Sequence, residues 1–326
     1  MSTISTFSDS LSLPVIAAPM FLISGPKIVI ECCKNGIVGT FPALNQRTSE
    51  GFEEWLIEIK TELDTFEKET GKKAAPFGVN LIVHPTNPRL EADVKLCVKH
   101  KVPLIITSLG AVSMVVDAIH SYGGIVFHDV IKKRHAKKAA GAGVDGLILV
   151  AAGAGGHGGI LNPMTFIAET KQFFDKTILL AGCISTGRDI ASAMQMGADF
   201  AYMGTRFINT KESMAPEDYH KMIVKSEASD VVYTAAISGV SANFLGDSLK
   251  AAGITEEDLK KDTKIDFGKE LDTEAKAWKT IWSAGQGVAT IDNVLSVSDL
   301  VKSLSEEFKS VIEEQSQLLN TYPRKS

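Results

Sequence analysis

Short apolar runs alternate with segments of helical periodicity over the first 207 residues of the chain. Near-continuous apolar strands that alternate with helices are typical of a parallel sheet covered on its outer face. We therefore predict an α/β protein and favour a (β/α)8 TIM barrel, with a doubly wound open sheet as the alternative. The eight predicted strands are 15–18, 36–40, 77–82, 104–108, 124–130, 146–152, 178–182 and 200–204.

Two helix-to-strand joints have similar sequences, AGVDGLIL at 142–149 and MGADFAYM at 196–203. Their recurrence indicates one βα unit used repeatedly, which favours the closed barrel. In such a barrel the active site lies at the carboxyl ends of the strands. Residues that directly follow the predicted strands are therefore the candidates for function.

The regular alternation stops after Arg206. Residues 208–279 are polar, carry acidic and lysine-rich stretches, and form a segment too long for a plain loop. We predict a barrel over 1–207, an inserted helical domain over 208–279 that covers the barrel mouth, and a return to the barrel over 280–326. That last part ends in an amphipathic helix at about 297–319.

Composition narrows the class of protein. With 326 residues and 44% hydrophobic content, the chain can form a large globular core. The net charge is −5 and we identify no basic block, and both observations argue against a nucleic-acid partner. The polar start and the lack of a long apolar run predict no signal peptide and no membrane span. Four cysteines form no disulfide framework, which favours a cytoplasmic protein with Cys32 and Cys33 as buried, inert thiols.

The sequence AAGAGGHGG at 151–159 follows the sixth predicted strand. A loop with so few side chains lets the backbone approach a ligand closely. His157 is the only group in it that can move a proton near neutral pH. The loop therefore predicts a cofactor floor with one catalytic group.

The same loop also contains a G-x-G-x-x-G pattern in Gly153, Gly155 and Gly158, followed by Asp175. A dinucleotide fingerprint requires a helix to open inside the motif. Here the next helix begins near Pro163, which is too late. We therefore set the Rossmann interpretation aside.

The seventh and eighth predicted strands end in AGCIS and MGT, where barrels commonly hold a phosphate. Backbone amides at glycine turns, aided by the N-terminus of the helix that starts near Thr186, would form the anion site. We interpret Cys183 as a small wall residue of this site. The predicted contributors are Gly182, Cys183, Met203, Gly204 and Thr205.

The first and third strands end with Pro19, Met20 and Asn80. An apolar surface beside an amide that both donates and accepts hydrogen bonds suits a flavin ring. His128 and His135 have no third ligand at metal spacing, so we predict no metal site. His84 follows the third strand in a proline-containing loop, where it either gates the barrel mouth or is simply solvated.

The motifs AAPM, VNLI, AGGHGG, AGCISTGRD, YMGTRF and SAGQG occur in this order along the chain. Together they resemble the nitronate monooxygenase family, formerly called 2-nitropropane dioxygenases. The resemblance implies a TIM barrel that binds FMN, with a smaller helical domain over the flavin. It also implies the oxidation of alkyl nitronates by O₂ to carbonyl compounds and nitrite.

The resemblance also assigns individual residues. It places the family's catalytic histidine on His157 and the flavin-binding asparagine on Asn80. It places the glycine of the AGGH loop on Gly155 and the phosphate loops on Gly182, Gly204 and Thr205. Three positions depart from the family pattern: Val150 and Gly153 replace a glutamine and a glutamate, and Cys183 replaces a glycine. The first two changes leave the substrate class open.

The chain also resembles flavin-dependent enoyl-acyl carrier protein reductases and NADH:quinone reductases, and fold does not decide among these activities. A flavin-binding protein without turnover is a third alternative. A titratable group in a bare loop argues against it, because simple binding does not need one. The expected partners are a small-molecule substrate and O₂, and the oligomeric state stays open.

Overall fold

The computed structural model describes residues 7–110, 113–237, 239–260 and 280–322. Eight parallel strands form a closed barrel, in which each strand pairs with the next and the last pairs with the first. This arrangement confirms the TIM barrel and excludes the open sheet. Each predicted run overlaps one strand, and the strands are β1 (Val15–Ala17), β2 (Val38–Pro42), β3 (Phe77–Ile82), β4 (Leu104–Ser108), β5 (Ile125–Val130), β6 (Gly146–Val150), β8 (Thr177–Ala181) and β9 (Phe200–Met203). The short strand β7 (Gly156–His157) lies outside the barrel.

Helices surround the barrel, and the three expected near Pro163, near Thr186 and at about 297–319 are all present. Asn162 caps the helix that Pro163 opens, and Gly197 ends another helix with a φ of +102° that favours glycine. The last helix, Val297–Thr321, contacts the helices Gly187–Met196 and Pro26–Lys34 and so completes the outer ring. The outer helices are α1 (Pro26–Lys34), α2 (Ser49–Thr70), α3 (Leu90–Lys99), α4 (Ser113–His120), α5 (Lys133–Gly141), α6 (Pro163–Thr170), α7 (Gly187–Met196) and α11 (Val297–Thr321).

The core has two layers because successive strand residues point to opposite faces. Ile16, Ile106 and Phe127 belong to the layer inside the barrel. Residues that alternate with them face outward and pack against the helices. Cys32 and Cys33 are fully buried in the outer layer, and burial raises the pKa of Cys33 to about 12, which confirms the prediction of buried thiols.

We expected a purely helical segment after the barrel, but the structure also contains strands there. It contains α8 (Thr205–Ile208), α9 (Glu217–Lys225) and α10 (Gly246–Ala251), and also the antiparallel strands β10 (Val231–Thr234) and β11 (Ala242–Leu245). Strand β11 pairs in turn with β7, so the hairpin is joined to the glycine-rich loop. The helical pattern concealed this hairpin because each strand has only four residues. Residues 261–279 of the predicted domain lie outside the described part.

Among the described residues, we find no helix that is both long enough and apolar enough to cross a membrane.

Candidate active site

A cavity of about 1040 Å³ opens at the carboxyl ends of the barrel strands. It brings together all but one of the predicted site residues. The residues that line it are Pro19, Met20, Asn80, Gly155, His157, Gly182, Cys183, Gly204 and Thr205.

Met203 is the exception, because it does not line the cavity. Its side chain is 1% exposed and lies in the outer core layer. Because neighbouring strand residues face opposite sides, it is Tyr202 that lines the cavity.

One end of the cavity is formed by the ends of β8 and β9. The amides of Gly182, Cys183, Gly204 and Thr205 donate to no acceptor among the described residues. The Thr205 hydroxyl oxygen accepts from the Gly285 amide at 2.9 Å, which leaves its proton available to donate. A Cβ added to Gly204 would make only an ordinary contact, 3.7 Å from the Ala18 Cβ, so the backbone here is not tightly covered by protein. These groups form an anion cradle made of neutral donors.

The N-terminus of α7 does not contribute to this cradle, which corrects our expectation. The Asp189 carboxylate accepts from the amides of Ser185 and Thr186 at 3.0 and 2.9 Å. The Glu307 carboxylate of α11 accepts from the Gly187 amide at 2.8 Å. Because carboxylates of the protein already occupy these donors, the helix end is not available to a ligand.

A chain of hydrogen bonds links the ends of β3, β4 and β5. The Asn80 amide group donates to the Ser108 hydroxyl at 2.8 Å and to the Ile106 carbonyl at 3.2 Å. Both of its donors are thus satisfied by protein, and its oxygen is left to accept a hydrogen bond. Ser108 in turn donates to Oδ2 of Asp129 at 2.5 Å.

Asp129 is a site residue that the sequence analysis missed. It lines the cavity, and its buried Oδ1 atom has no hydrogen-bond partner in the described part of the chain. Burial, opposed by the Ser108 hydrogen bond, raises the pKa of this carboxyl to about 6. The signal was present, because Ser108 and Asp129 lie at the carboxyl ends of two predicted strands.

The loop that carries His157 is held in place by the inserted segment. His157 pairs with Ala242 across the β7–β11 ladder. The Asn243 side chain donates to the Ala154 carbonyl at 2.6 Å, and the Tyr233 hydroxyl donates to the Gly158 carbonyl at 3.1 Å. The glycine-rich loop is therefore fixed on both sides of the histidine.

His157 is half-buried at the edge of the cavity. Burial lowers its pKa to about 4, so the side chain is neutral near neutral pH. An imidazolium that attracts an anion would need a ligand whose charge raises this pKa. The neutral imidazole is the form present in the ligand-free site.

The SAGQG segment packs directly on the glycine-rich loop. The Gln286 amide donates to the Gly153 carbonyl at 2.9 Å. A Cβ at Gly153 would lie 2.4 Å from the Cys183 sulfur and 2.8 Å from Oε1 of Gln286. A side chain here, where the resemblance places a glutamate, would require the Cys183 and Gln286 side chains to move, and the φ of +78° at Gly153 is one that side-chain-bearing residues rarely adopt. Val150, at the other altered position, presents an apolar surface to the cavity.

Further groups complete the surroundings of the cavity. The rings of Tyr219 and Trp282 stack at 4.8 Å and line its cover side. His128 is buried and bonds to the Thr107 hydroxyl at 2.8 Å, while His84 bonds to Thr86 at 2.9 Å and is not a lining residue. No cluster of three metal-binding side chains occurs among the described residues.

Comparisons with known proteins agree with this geometry. A nitronate monooxygenase from Paraburkholderia phytofirmans is 25% identical over 94% of this chain and 95% of its own length. An octahydro-1H-indene-4-carboxyl-CoA dehydrogenase from Rhodococcus jostii is 25% identical over 76% of this chain and 68% of its own.

Solved structures share the fold at lower identity. FabK from Thermotoga maritima superposes with a TM-score of 0.78 at 22% identity, covering 98% of this chain and 99% of its own. A nitroalkane oxidase from Streptomyces ansochromogenes gives 0.77 at 21% identity, covering 94% and 99%. The sequence model of nitronate monooxygenases matches residues 43–307. The chain therefore belongs to the nitronate monooxygenase family and is a flavin-dependent oxidoreductase.

Proposed function

We propose that this enzyme binds FMN and oxidises alkyl nitronates with O₂ to carbonyl compounds and nitrite. The observation that carries the proposal is a neutral, desolvated His157 on the same cavity as a cradle of unpaired amides. The cradle suits a phosphate group, and the imidazole suits a small substrate that exchanges a proton. The inserted segment, through β11 and Tyr219, forms the cover of this site.

The residues present fit FMN. The free amides near Gly182 and Gly204, with the Thr205 hydroxyl, would hold one phosphate. Pro19 and Met20 would give the ring an apolar surface. The Asn80 oxygen would accept from the pyrimidine N–H of the flavin, because both Asn80 donors are already used.

FMN, when bound, supplies the two-electron acceptor that O₂ then reoxidises. His157 handles the proton. Its neutral Nε2 or Nδ1 can accept the α-proton of a nitroalkane, or its N–H can donate a hydrogen bond to a nitronate oxygen. A pKa near 4 instead of 6.5 makes the imidazole a weaker base by about 3 kcal/mol. The site therefore favours a nitronate that has already lost its proton over the neutral nitroalkane.

The decisive experiment compares three reductants on the purified holoenzyme without oxygen. The released cofactor is first identified by mass, and FAD or no flavin after reconstitution would contradict the cofactor assignment. Flavin bleaching is then followed with a nitronate, NADH and NADPH in parallel. We expect the nitronate to bleach the flavin and, once air is admitted, to yield nitrite.

Two other outcomes point to the alternatives. Rapid bleaching by a nicotinamide, with a nitronate inert, would replace the proposal with a reductase. Spectral shifts without reduction by any of the three compounds would indicate a binding protein without turnover.

A further inference from the structure

Helix α5 carries a concentrated positive charge that the sequence analysis overlooked. Residues 132–138 read KKRHAKK, with no acidic residue, in a chain whose net charge is −5. The first turn of α5 has no acidic side chain, and no side chain caps it. Cations at a helix N-terminus oppose the helix dipole, and like charges one turn apart repel each other. Local arrangements that work against the fold are expected at functional positions.

The cations of α5 divide into two pairs. Lys133 forms an ion pair with Glu169 at 3.0 Å, and the Lys137 ammonium lies 5.5 Å from the centre of the Phe173 ring. Arg134 and Lys138 are exposed, lie one turn apart, and have no ion-pair partner among the described residues. These two side chains line the cavity that also contains the candidate active site.

The lining of the cavity continues from the barrel mouth along α5 and reaches Ser113, the first residue of α4, and we call this part of the cavity the α4–α5 groove. Its lining includes Arg134, His135 and Lys138, together with the small side chains of Ala139 and Ala142. Burial and then the charges of Lys132, Arg134 and Lys138 lower the pKa of His135. The groove therefore combines space with a positive field.

This groove lies away from the cofactor's phosphate cradle. The cradle is at the ends of β8 and β9, whereas the groove begins beyond β4 and β5, on another side of the barrel. Between the two lie the Asn80–Ser108–Asp129 chain and the loop of His157. A molecule in the groove would thus approach the flavin from the substrate side.

We propose that the α4–α5 groove binds the diphosphate arm of a nucleotide-linked substrate, either a coenzyme A thioester or a nicotinamide dinucleotide. A guanidinium and an ammonium one turn apart match two adjacent phosphate groups, because the guanidinium binds phosphate oxygens in a bidentate manner. The proposal rests on the proposed function only for the position of the flavin.

The test compares two double variants of the holoenzyme that lose the same charge from the same helix. Arg134→Ala/Lys138→Ala removes the groove cations, and Lys133→Ala/Lys137→Ala removes the pair directed elsewhere. Calorimetry measures the binding of inorganic diphosphate, coenzyme A, NADPH and pantetheine, which lacks the diphosphate. Nitronate turnover of the same preparations reports separately on the proposed function, and we expect it to be unchanged in both variants.

We expect diphosphate to bind the wild type, and its dissociation constant to rise at least about tenfold in the groove variant, since two charge-assisted contacts are lost. The control variant should change by less than about threefold. Tighter binding of coenzyme A than of diphosphate, with weak binding of pantetheine, identifies the thioester source. Tighter binding of NADPH identifies the dinucleotide. Absence of diphosphate binding, or equal weakening in both variants, would overturn the proposal.

Discussion

Replacing Asp129 by Asn should stabilise the flavin-free protein near neutral pH and have little effect in acid. The carboxyl has a folded-state pKa of about 6 against an ordinary value of 3.8. Above pH 6 it is ionised in both states, and the folded protein then carries the full cost of burying the charge. That difference in pKa corresponds to about 3 kcal/mol. Below about pH 4 the carboxyl is protonated in both states, and the cost disappears.

Two buried histidines change the stability of the folded protein with pH in the opposite direction to Asp129. The stability of the variant must therefore be compared with that of the wild type at each pH. Burial lowers the pKa of both His128 and His157 to about 4. The unfolded chain therefore binds more protons than the folded one between about pH 4 and 6.5, and this part of the stability is lost as pH falls. The difference between wild type and variant cancels these contributions and leaves that of Asp129. Asn keeps an oxygen that accepts from Ser108, so this hydrogen bond is retained in the variant.

The assay is urea unfolding of the flavin-free proteins, followed by tryptophan fluorescence, at about pH 4 and pH 7. Asp117→Asn, at an exposed aspartate on α4, controls for the loss of one negative charge. We expect the gain of the Asp129→Asn variant over the wild type to increase by up to about 3 kcal/mol between the two pH values. A gain that is the same at both would show that Asp129 titrates normally and that the burial argument is wrong.

Three further predictions concern the cavity. His157→Ala should keep FMN but lower turnover of neutral nitroalkanes by at least about a hundredfold. Turnover of preformed nitronates should fall less. Near wild-type rates with both substrates would mean that His157 has a structural role only. Gly204→Asp should abolish flavin binding, because a negative charge would enter the amide cradle. Gly204→Ala should retain flavin, since its Cβ would come no closer than 3.7 Å to any atom of the protein. Equal flavin content in both variants would refute the cradle. Asn243→Ala should cost about 1–3 kcal/mol and speed amide exchange in the 154–158 loop, because the Ala154 carbonyl loses its 2.6 Å donor. Unchanged exchange would mean that this bond does not hold the loop.

The barrel was predictable because each of its strands pairs with the next barrel strand in the sequence. Local sequence patterns were therefore enough to predict the fold. The cavity lining was predictable for the same reason, since strand ends of a parallel barrel meet at one face. Met203 was misplaced because the analysis ignored the alternation of faces within a strand. The N-terminus of α7 was misread although Asp189, which occupies two of its donors, lies within the quoted AGCISTGRD motif; only Glu307, which occupies the third donor, lies 120 positions away.

Asp129 and the β10–β11 hairpin were missed for different reasons. Asp129 stands at a strand end like the other candidates, and its importance comes from burial, which a sequence does not display. The hairpin strands are short and stand among polar residues, where helical periodicity dominates the pattern. The basic run of α5 was visible in the letters, but the net charge of the whole chain concealed it.

The contacts that fix the glycine-rich loop also determine when the site can form during synthesis. The barrel closes once β9 has emerged, because all its pairings are local or end with that strand. The loop of His157 is fixed later. Tyr233 follows its partner Gly158 by 75 residues, and Asn243 follows its partner Ala154 by 89 residues. The Gly285 amide, which donates to Thr205, follows that residue by 80 positions. Such distant contacts form late because their chain-closure entropy must be overcome first. A nascent chain therefore passes through a state in which all eight barrel strands have emerged, while the loop of His157 still lacks its partners and the outer ring still lacks α11.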